Sequence, residues 1–446
     1  EFEPGLAASW QTSKDGLTWT FELQKNVKFH DGTAFDAAAV VYNFQRFIGP
    51  EKAKTGWAMF GELVKNVEAV GPTTVKMTLA RPHAFFPNLL AHPAATMCSP
   101  TAHKKYGKDL ALNPVGTGPF KFSEWVKGDR LVLDANESYW RGRPYLDKII
   151  CKPVKEDNTR VMQLQSGQLH VAPLVPHEAI PSLDKNRNID VTRRLSNMAL
   201  KVTFNNLKKP FDNRLVRQAL NYAVDKDAIA KHLYGGYAVP VPGVLSSVLV
   251  GWGDERGYTY NPALAKELLA KAGYPKGFTS TLWTTSSGII PKDVALAETI
   301  QQYWAEVGVQ VKIEKMEWAA MLNECRLPPE SNRSEAFLQK DNQSSGEVSD
   351  ALAQMCMKRY FPPAGRNRAF YSNPVVEELI VQGTSSMEVK SRDAYMRAAQ
   401  VIINEDAPWV PLVTPMLIWA HSTKVHNMVY SPLTHTFATE KTWIEK

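Results

Sequence analysis

Between Ser196 and Val224 the chain reads SNMALKVTFNNLKKPFDNRLVRQALNYAV, and no other stretch limits the possible folds so sharply. Val202 and Phe204 alternate with polar Lys201, Thr203 and Asn205, which is the period-two pattern of a strand. Lys208, Lys209 and Pro210 break that pattern. Asp212 or Asn213 then caps a helix in which Leu215, Val216, Ala219, Leu220 and Ala223 recur at three and four residues. A polar strand with adjacent Asn205 and Asn206, placed mid-chain and feeding a helix, suits a wall between two lobes. An ordinary strand and amphipathic helix of a single core fits the same pattern.

Length argues against a single core. At 446 residues the chain exceeds what one ordinary core supports, and two or three domains are expected. Hydrophobic content of 44% and charged content of 22% are those of a globular protein. No run of about eighteen apolar residues occurs, so no membrane span is expected. The chain opens on Glu1-Phe2-Glu3-Pro4, with no basic n-region or apolar h-region of a signal peptide. The net charge of +7 is scattered rather than clustered, which gives nucleic-acid binding little support. Cys98, Cys151, Cys325 and Cys356 form no CxxC pair, which argues against structural zinc. Buried free thiols are the expectation; one disulfide in an oxidising compartment stays open, with no pairing specified.

Along the chain, strands and helices alternate. In Leu6 to Phe44, LAASWQTSKDGLTWTFELQKNVKFHDGTAFDAAAVVYNF, Asp15-Gly16 and Asp31-Gly32 read as turns. Trp19, Phe21 and Leu23 fall on one strand face, and Asp36 caps a helix through Val40, Val41 and Phe44. His83 and His92 lack a ligand companion at helical spacing. Pro114 to Phe120, PVGTGPF, is not a phosphate loop, because Pro119 removes an N–H and no GK[ST] follows. Helices are expected over Asn158–Gly167, Tyr260–Tyr274, Asp293–Val307 and Arg392–Asn404, and strands over Ser280–Thr284 and Val309–Ile313. This alternation argues for an α/β lobe. The least regular segment, Glu330 to Ser349, reads as a mobile surface loop or a specificity loop. No GxSxG, HExxH or Walker motif occurs, and Asp225 and Asp227 flank Lys226 as a solvated face would. A catalytic role is not expected; a hydrolase is the alternative from another class, since triads need not be local in sequence.

The Leu6–Phe44 stretch, PVGTGPF, NESYWRGRPYLDK from Asn136, FNN…KPFDNRLVRQALNYAVDKDAI from Phe204, YNPALAKELLAKAGY from Tyr260 and APWVPLV from Ala407 together resemble family 5 extracellular solute-binding proteins. These are the peptide, nickel and glutathione receptors of bacterial ABC importers. The resemblance implies an α/β, two-lobed periplasmic-binding-protein fold (class II, large cluster C type), with a hinge and an extra subdomain in the first lobe. Lobe I would comprise residues 1–200, lobe II 201–411, and 412–446 would return to lobe I. In the family a further segment precedes the Leu6 motif and supplies an edge of the first lobe, so contacts from it are not predicted. The family's role for the Leu6–Phe44 motif is structural, which makes Trp10, Trp19 and His30 packing residues.

Within the family, Ser344-Ser345-Gly346-Glu347, then Pro362-Pro363 and AFYSN at Ala369–Asn373, resemble the glutathione-binding branch. The position of the aspartate that holds a dipeptide's ammonium falls on Ser344. That branch carries Trp where this chain has Asp341, a change that removes an aromatic wall, adds charge and leaves room for another or a cationic peptide. The ligand-binding candidates are therefore Ser344, Ser345, Gly346, Asn205, Asn206, Asp341 and Trp283. No metal ligand, cofactor or catalytic residue is expected. The implied partners are a small glutathione-like peptide and ABC permease subunits, with a monomer in the periplasm or outside the cell, lipid-anchored or not. A di- or oligopeptide receptor is the alternative; nickel is less favoured, because no His falls in 330–373.

Overall fold

The computed structural model describes residues 3–48, 58–249, 253, 257–342, 346–430 and 439–445. The chain forms two compact units, one built on Glu1–Thr192 with the returning chain from Trp419, the other on Arg193–Ile418.

In the first unit, strands β1 (Ala7–Thr12), β2 (Thr18–Leu23), β3 (Val64–Ala69) and β4 (Thr74–Leu79) make an antiparallel sheet in the order β1-β2-β4-β3. The β1–β2 connection turns at Gly16, whose φ of 70° favours glycine, while Leu17 N donates to Asp15 Oδ1 at 3.0 Å. Trp19, Phe21 and Leu23 are buried on one face of β2, as their alternation predicts. Asp36 accepts from Ala39 N at 2.9 Å at the start of helix α1 (Ala37–Ile48), which lays Val40, Phe44 and Phe47 on the sheet's core. His30 fastens PVGTGPF: its Nε2 donates to Gly118 O at 3.0 Å and its Nδ1 accepts from Gly116 N at 3.3 Å. With both ring nitrogens engaged by backbone, His30 is a structural clasp, and burial lowers its pKa. A separate antiparallel sheet of β5 (Phe120–Val126), β6 (Arg130–Ala135) and β7 (Lys148–Cys151) follows, then α2 (Asp157–Gln165), β8 (Val171–Pro173) and β9 (Ile189–Leu195).

The second unit is organised by a five-stranded sheet. Its strands are β10 (Ala199–Phe204), β12 (Phe278–Thr285), β13 (Val309–Met316), β14 (Ala336–Asp341) and β15 (Trp409–Pro411), in the order β13-β12-β14-β10-β15. β12 runs parallel to β13 and β14, and β10 is antiparallel to both β14 and β15. The short β11 (Ala238–Pro240) pairs instead with the start of β16 (Val413–Ser422). Helices α3 (Arg214–Tyr222), α4 (Pro262–Lys271), α5 (Asp293–Glu306), α6 (Trp318–Cys325), α7 (Val348–Cys356), α8 (Pro374–Ser385) and α9 (Val389–Asp406) surround the sheet strands in sequence. Asn213, rather than Asp212, caps α3, accepting from Leu215 N at 2.9 Å.

Two segments are drier than their polar residues suggest. The polar residues of β10 do not face water: all six residues of the strand are buried. Nor is Glu330–Ser349 a surface loop throughout, because Ala336–Asp341 forms β14, between β10 and β12 in the middle of the sheet. The physical reason is the same for both. The polar side chains of these two neighbouring strands satisfy one another, so neither strand needs solvent.

Candidate ligand-binding site

On a strand, alternate residues share a face. Leu200, Val202 and Phe204 of β10 and Ala336 and Leu338 of β14 belong to one apolar core, together with Leu282, Ile300, Trp304, Val309 and Val410. The opposite face carries a line of polar groups. Thr203 Oγ1 donates to Gln339 Oε1 at 3.0 Å, and Gln339 Nε2 donates to Asp341 Oδ1 at 2.9 Å. Lys201 Nζ closes the line on Asp341 Oδ2. The register explains the zigzag: Lys201 lies opposite Gln339 and Ala199 opposite Asp341, so Lys201 and Asp341 meet as diagonal neighbours.

This ion pair is sealed in, with side-chain exposures of 3% for Lys201 and 2% for Asp341. The Lys201 ammonium also sits 3.8 Å from the centre of the Trp409 ring and 3.3 Å from Met355 Sδ on α7. Arg366 Nη2 approaches Asp341 Oδ1 at 3.8 Å from a half-exposed position. Burial pushes the Asp341 pKa up, but Lys201 first and then Arg366 and Arg368 outweigh it, and the net shift is downward. Cys356, beside the pair, has its thiol pushed well up by burial. Asp341 is therefore an ionised carboxylate whose charge is already matched from within the unit. It offers no free carboxylate to a cationic ligand.

The segment after β14 turns into α7. Gly346 adopts φ 69°, a left-handed conformation that favours glycine. Glu347 follows as the cap of α7, its Oε2 accepting from Ser349 N at 2.8 Å and Asp350 N at 3.2 Å. Glu347 is only 1% exposed, and burial raises its pKa to about 7 against those hydrogen bonds. Ser344 and Ser345 lie outside the described residues.

The remaining candidates have structural partners. Asn205 is 1% exposed; its Nδ2 donates to Ser334 O at 3.1 Å and its Oδ1 accepts from Leu207 N at 3.2 Å. Asn206 Nδ2 ties the end of β10 to Ala369 O at 2.9 Å and Pro408 O at 3.3 Å. Trp283 is buried in a small cluster with Met321, Cys325 and Phe337. The structure thus brings Asp341 and Gly346–Glu347 to one end of β14 and gives Asn205, Asn206 and Trp283 packing and fastening roles. Among the described residues no group of three or more His, Cys, Asp or Glu side chains could hold a metal. The four cysteines are free, and Cys151 is exposed rather than buried.

A cavity of about 540 Å³ lies in the first unit, lined by Trp10, Phe21, Phe35, Phe44 and Met97 among others. Glu3 and His92 are the charged or titratable side chains on its wall, so it lacks the cationic donors that a peptide carboxylate requires.

Residues 1–373 match the family described as bacterial extracellular solute-binding proteins, family 5 Middle. The chain belongs to this family. It is 37% identical over 429 residues to the glutathione-binding protein GsiB of Escherichia coli O6:K15:H31, a match covering 96% of the chain and 83% of the relative. Among solved structures it resembles DppA, an ABC transporter-associated periplasmic binding protein of Helicobacter pylori in complex with the peptide STSA. There the TM-score is 0.87 and the identity 30%, over 100% of this chain and 90% of that one. It also resembles MoaA of A. tumefacien R10 in complex with mannopinic acid, with a TM-score of 0.84 and 27% identity, covering 100% and 90% of the two chains. The fold is accordingly the two-lobed α/β fold of the family, and the relatives are solute-binding receptors. Among the described residues no helix is long and apolar enough to cross a membrane.

Sequence reading alone did not single out Lys201, Arg366 and Arg368. Lys201 was visible only as a polar position in a strand. A signal for the arginines exists in hindsight: two of them flank Asn367 just after Pro362-Pro363.

Proposed function

We propose that this protein is the substrate-binding subunit of an ABC importer, that it captures glutathione or a closely related small peptide, and that it hands the ligand to membrane permease subunits without transforming it. The observation that carries this reading is the 37% identity to a glutathione-binding protein across nearly the whole chain. The Ser344-Ser345-Gly346-Glu347 run supports it, as the stretch that resembles the glutathione-binding branch. The protein works as a monomer outside the cytoplasm, in the periplasm or on the cell surface, with residues 1–200 and 412–446 serving as one lobe and 201–411 as the other. A di- or oligopeptide ligand is the second reading, favoured by the 30% identity to the receptor solved with a tetrapeptide.

The test is a thermal-shift and calorimetry panel of reduced glutathione, oxidised glutathione, a neutral dipeptide and nickel. A ligand at about a hundred times its Kd stabilises a folded receptor by about 2.7 kcal/mol. Glutathione should raise the melting temperature and remain chemically intact after prolonged incubation. A shift with the dipeptide and none with glutathione would move the assignment to the second reading; turnover of any ligand would overturn the receptor role.

A further inference from the structure

The loop Phe361–Phe370 carries charge that the described residues of the second unit do not balance. Asn367 holds this loop in place: it is fully buried, its Nδ2 donates to Met357 O at 3.2 Å and Tyr371 O at 2.7 Å, and its Oδ1 accepts from Tyr371 N at 3.2 Å. The residues on either side of it are Arg366, half-exposed, and Arg368, only 9% exposed. Among the described residues the buried Arg368 Nε has no hydrogen-bond partner. A guanidinium is effectively always charged, and burying one without a matching anion is strongly unfavourable.

The surroundings of Arg368 do not supply that anion in full. Burial lowers its pKa, and Arg366 and Arg326 act on it as like charges. Cys325, also close, has its thiol pushed up to about 12 by burial and is neutral near pH 7. Glu324, next in sequence, is engaged by Arg333 at 3.0 Å. Asp341 is the opposing carboxylate, and it is shared with Lys201 and Arg366. Among the described residues one carboxylate therefore faces three cations, Lys201, Arg366 and Arg368, in a mostly desolvated setting. Such a surplus of positive charge suits the binding of an anion.

We propose that Arg368, backed by Arg366 and positioned by Asn367, is a carboxylate-binding subsite that makes this receptor select peptides carrying a carboxylate beyond the number a neutral dipeptide has. This deepens the peptide-receptor reading above and rests on it. The planar forks of the two arginines suit bidentate pairing with a carboxylate, and Asp341 Oδ1, 3.8 Å from Arg366 Nη2, helps to orient Arg366. In this arrangement Asp341 serves ligand selection indirectly, as the counter-ion that leaves room for one more negative charge.

The experiment is calorimetry on the full chain with glutathione and with its two monoamides, each replacing one carboxylate by a neutral carboxamide. Wild-type protein should bind one monoamide at least tenfold more weakly than glutathione. Arg368→Gln should shrink that ratio to less than threefold, and Arg366→Gln should shrink it partially. A merely structural role would weaken acid and amide alike and leave the ratio unchanged, and that result overturns the subsite. A wild-type ratio near one for both monoamides overturns it as well. Because Arg368 is buried, circular dichroism must show that Arg368→Gln folds. Should it not fold, the half-exposed Arg366→Gln carries the test by itself, and an unchanged ratio there counts against the proposal. If wild-type protein binds neither acid nor amides, the glutathione reading falls and this inference goes with it; binding with an unaltered ratio removes the inference alone.

Discussion

The two faces of the second unit's sheet are equally dry and follow opposite rules. On one, Leu200, Val202, Phe204 and Leu338 pack into a continuous apolar core. On the other, Lys201, Thr203, Gln339 and Asp341 are linked end to end by hydrogen bonds and an ion pair. Apolar burial is non-directional, so each side chain contributes roughly in proportion to its area and tolerates loss piecemeal. A buried polar line is conditional: every member is favourable only while its neighbours are present. The protein has placed the conditional face next to the segment that leads into Gly346 and Glu347, where its family resemblance locates ligand specificity.

The sharpest way to break this comparison is to remove one charge. Asp341→Asn leaves Lys201 buried beside Arg366 with no anion, and should destabilise the protein by about 3–5 kcal/mol in urea unfolding. Replacing both partners together, Lys201→Met with Asp341→Leu, should recover most of that loss and fall within about 2 kcal/mol of wild type. If the double variant is as unstable as the sum of the singles, the line is not a coupled unit. The same logic predicts that Asp341→Trp, the residue found in the glutathione-binding branch, is poorly tolerated unless Lys201 is also changed.

The apolar face should behave in the contrary way. Leu200→Ala should cost about 2–5 kcal/mol, and adding Phe204→Ala should deepen the loss instead of reversing it. Rescue of one apolar truncation by a second would erase the distinction between the faces.

How far the sequence discloses these faces depends on where the partners lie. Asp15-Gly16, Asp36 and the Trp19, Phe21, Leu23 stripe were legible because their hydrogen bonds and packing are set by neighbours in sequence. The family resemblance, spread over motifs from Leu6 to Val413, fixed the two-lobed architecture. β14 was not legible. Its Gln339 and Asp341 look like loop residues until Thr203 and Lys201, more than 130 positions earlier, are laid against them. Helix α7 was hidden for another reason: all nine of its residues are buried, so it shows no amphipathic stripe to read. Arg366 and Arg368 show in sequence only as two cations either side of Asn367, because what distinguishes them is the shortage of anions around them in space among the described residues.

Acid–base behaviour separates the polar face from the helix cap that follows it. Glu347 titrates near pH 7 in the folded protein and near 4.5 when exposed. Between those values the folded state holds a proton that the unfolded chain has released, so stability falls as pH rises from about 4.5 to 7 and levels off above. The full effect is about 3 kcal/mol for a shift of this size. Glu347→Gln should flatten the stability profile across that window. Asp341, whose pKa is lowered, has the opposite sign: its contribution is present above pH 4 and is lost as pH falls below it. Urea midpoints measured from pH 3 to 8 should therefore pass through a maximum, and an unchanged slope in the Gln variant would show that Glu347 is ionised throughout.

The smallest predicted effect lies at the ligand. The family resemblance puts Ser344 at the position of the aspartate that pairs with the ligand's ammonium in dipeptide receptors. A hydroxyl there can accept from or donate to a peptide but cannot neutralise it, so the contact should be worth about 0.5–1.5 kcal/mol. Ser344→Ala should weaken glutathione binding by that amount with no change in the urea midpoint, whereas Asp341→Asn should move the midpoint first and affinity through it. Should Ser344→Ala leave affinity untouched, the hydroxyl is not part of the site, and recognition at this end of β14 would rest on the backbone around Gly346 and on the arginines. Should Ser344→Asp strengthen binding of a neutral dipeptide and weaken glutathione, the one position would account for the choice between the two ligand classes, because a carboxylate pairs with an ammonium and repels an anionic ligand.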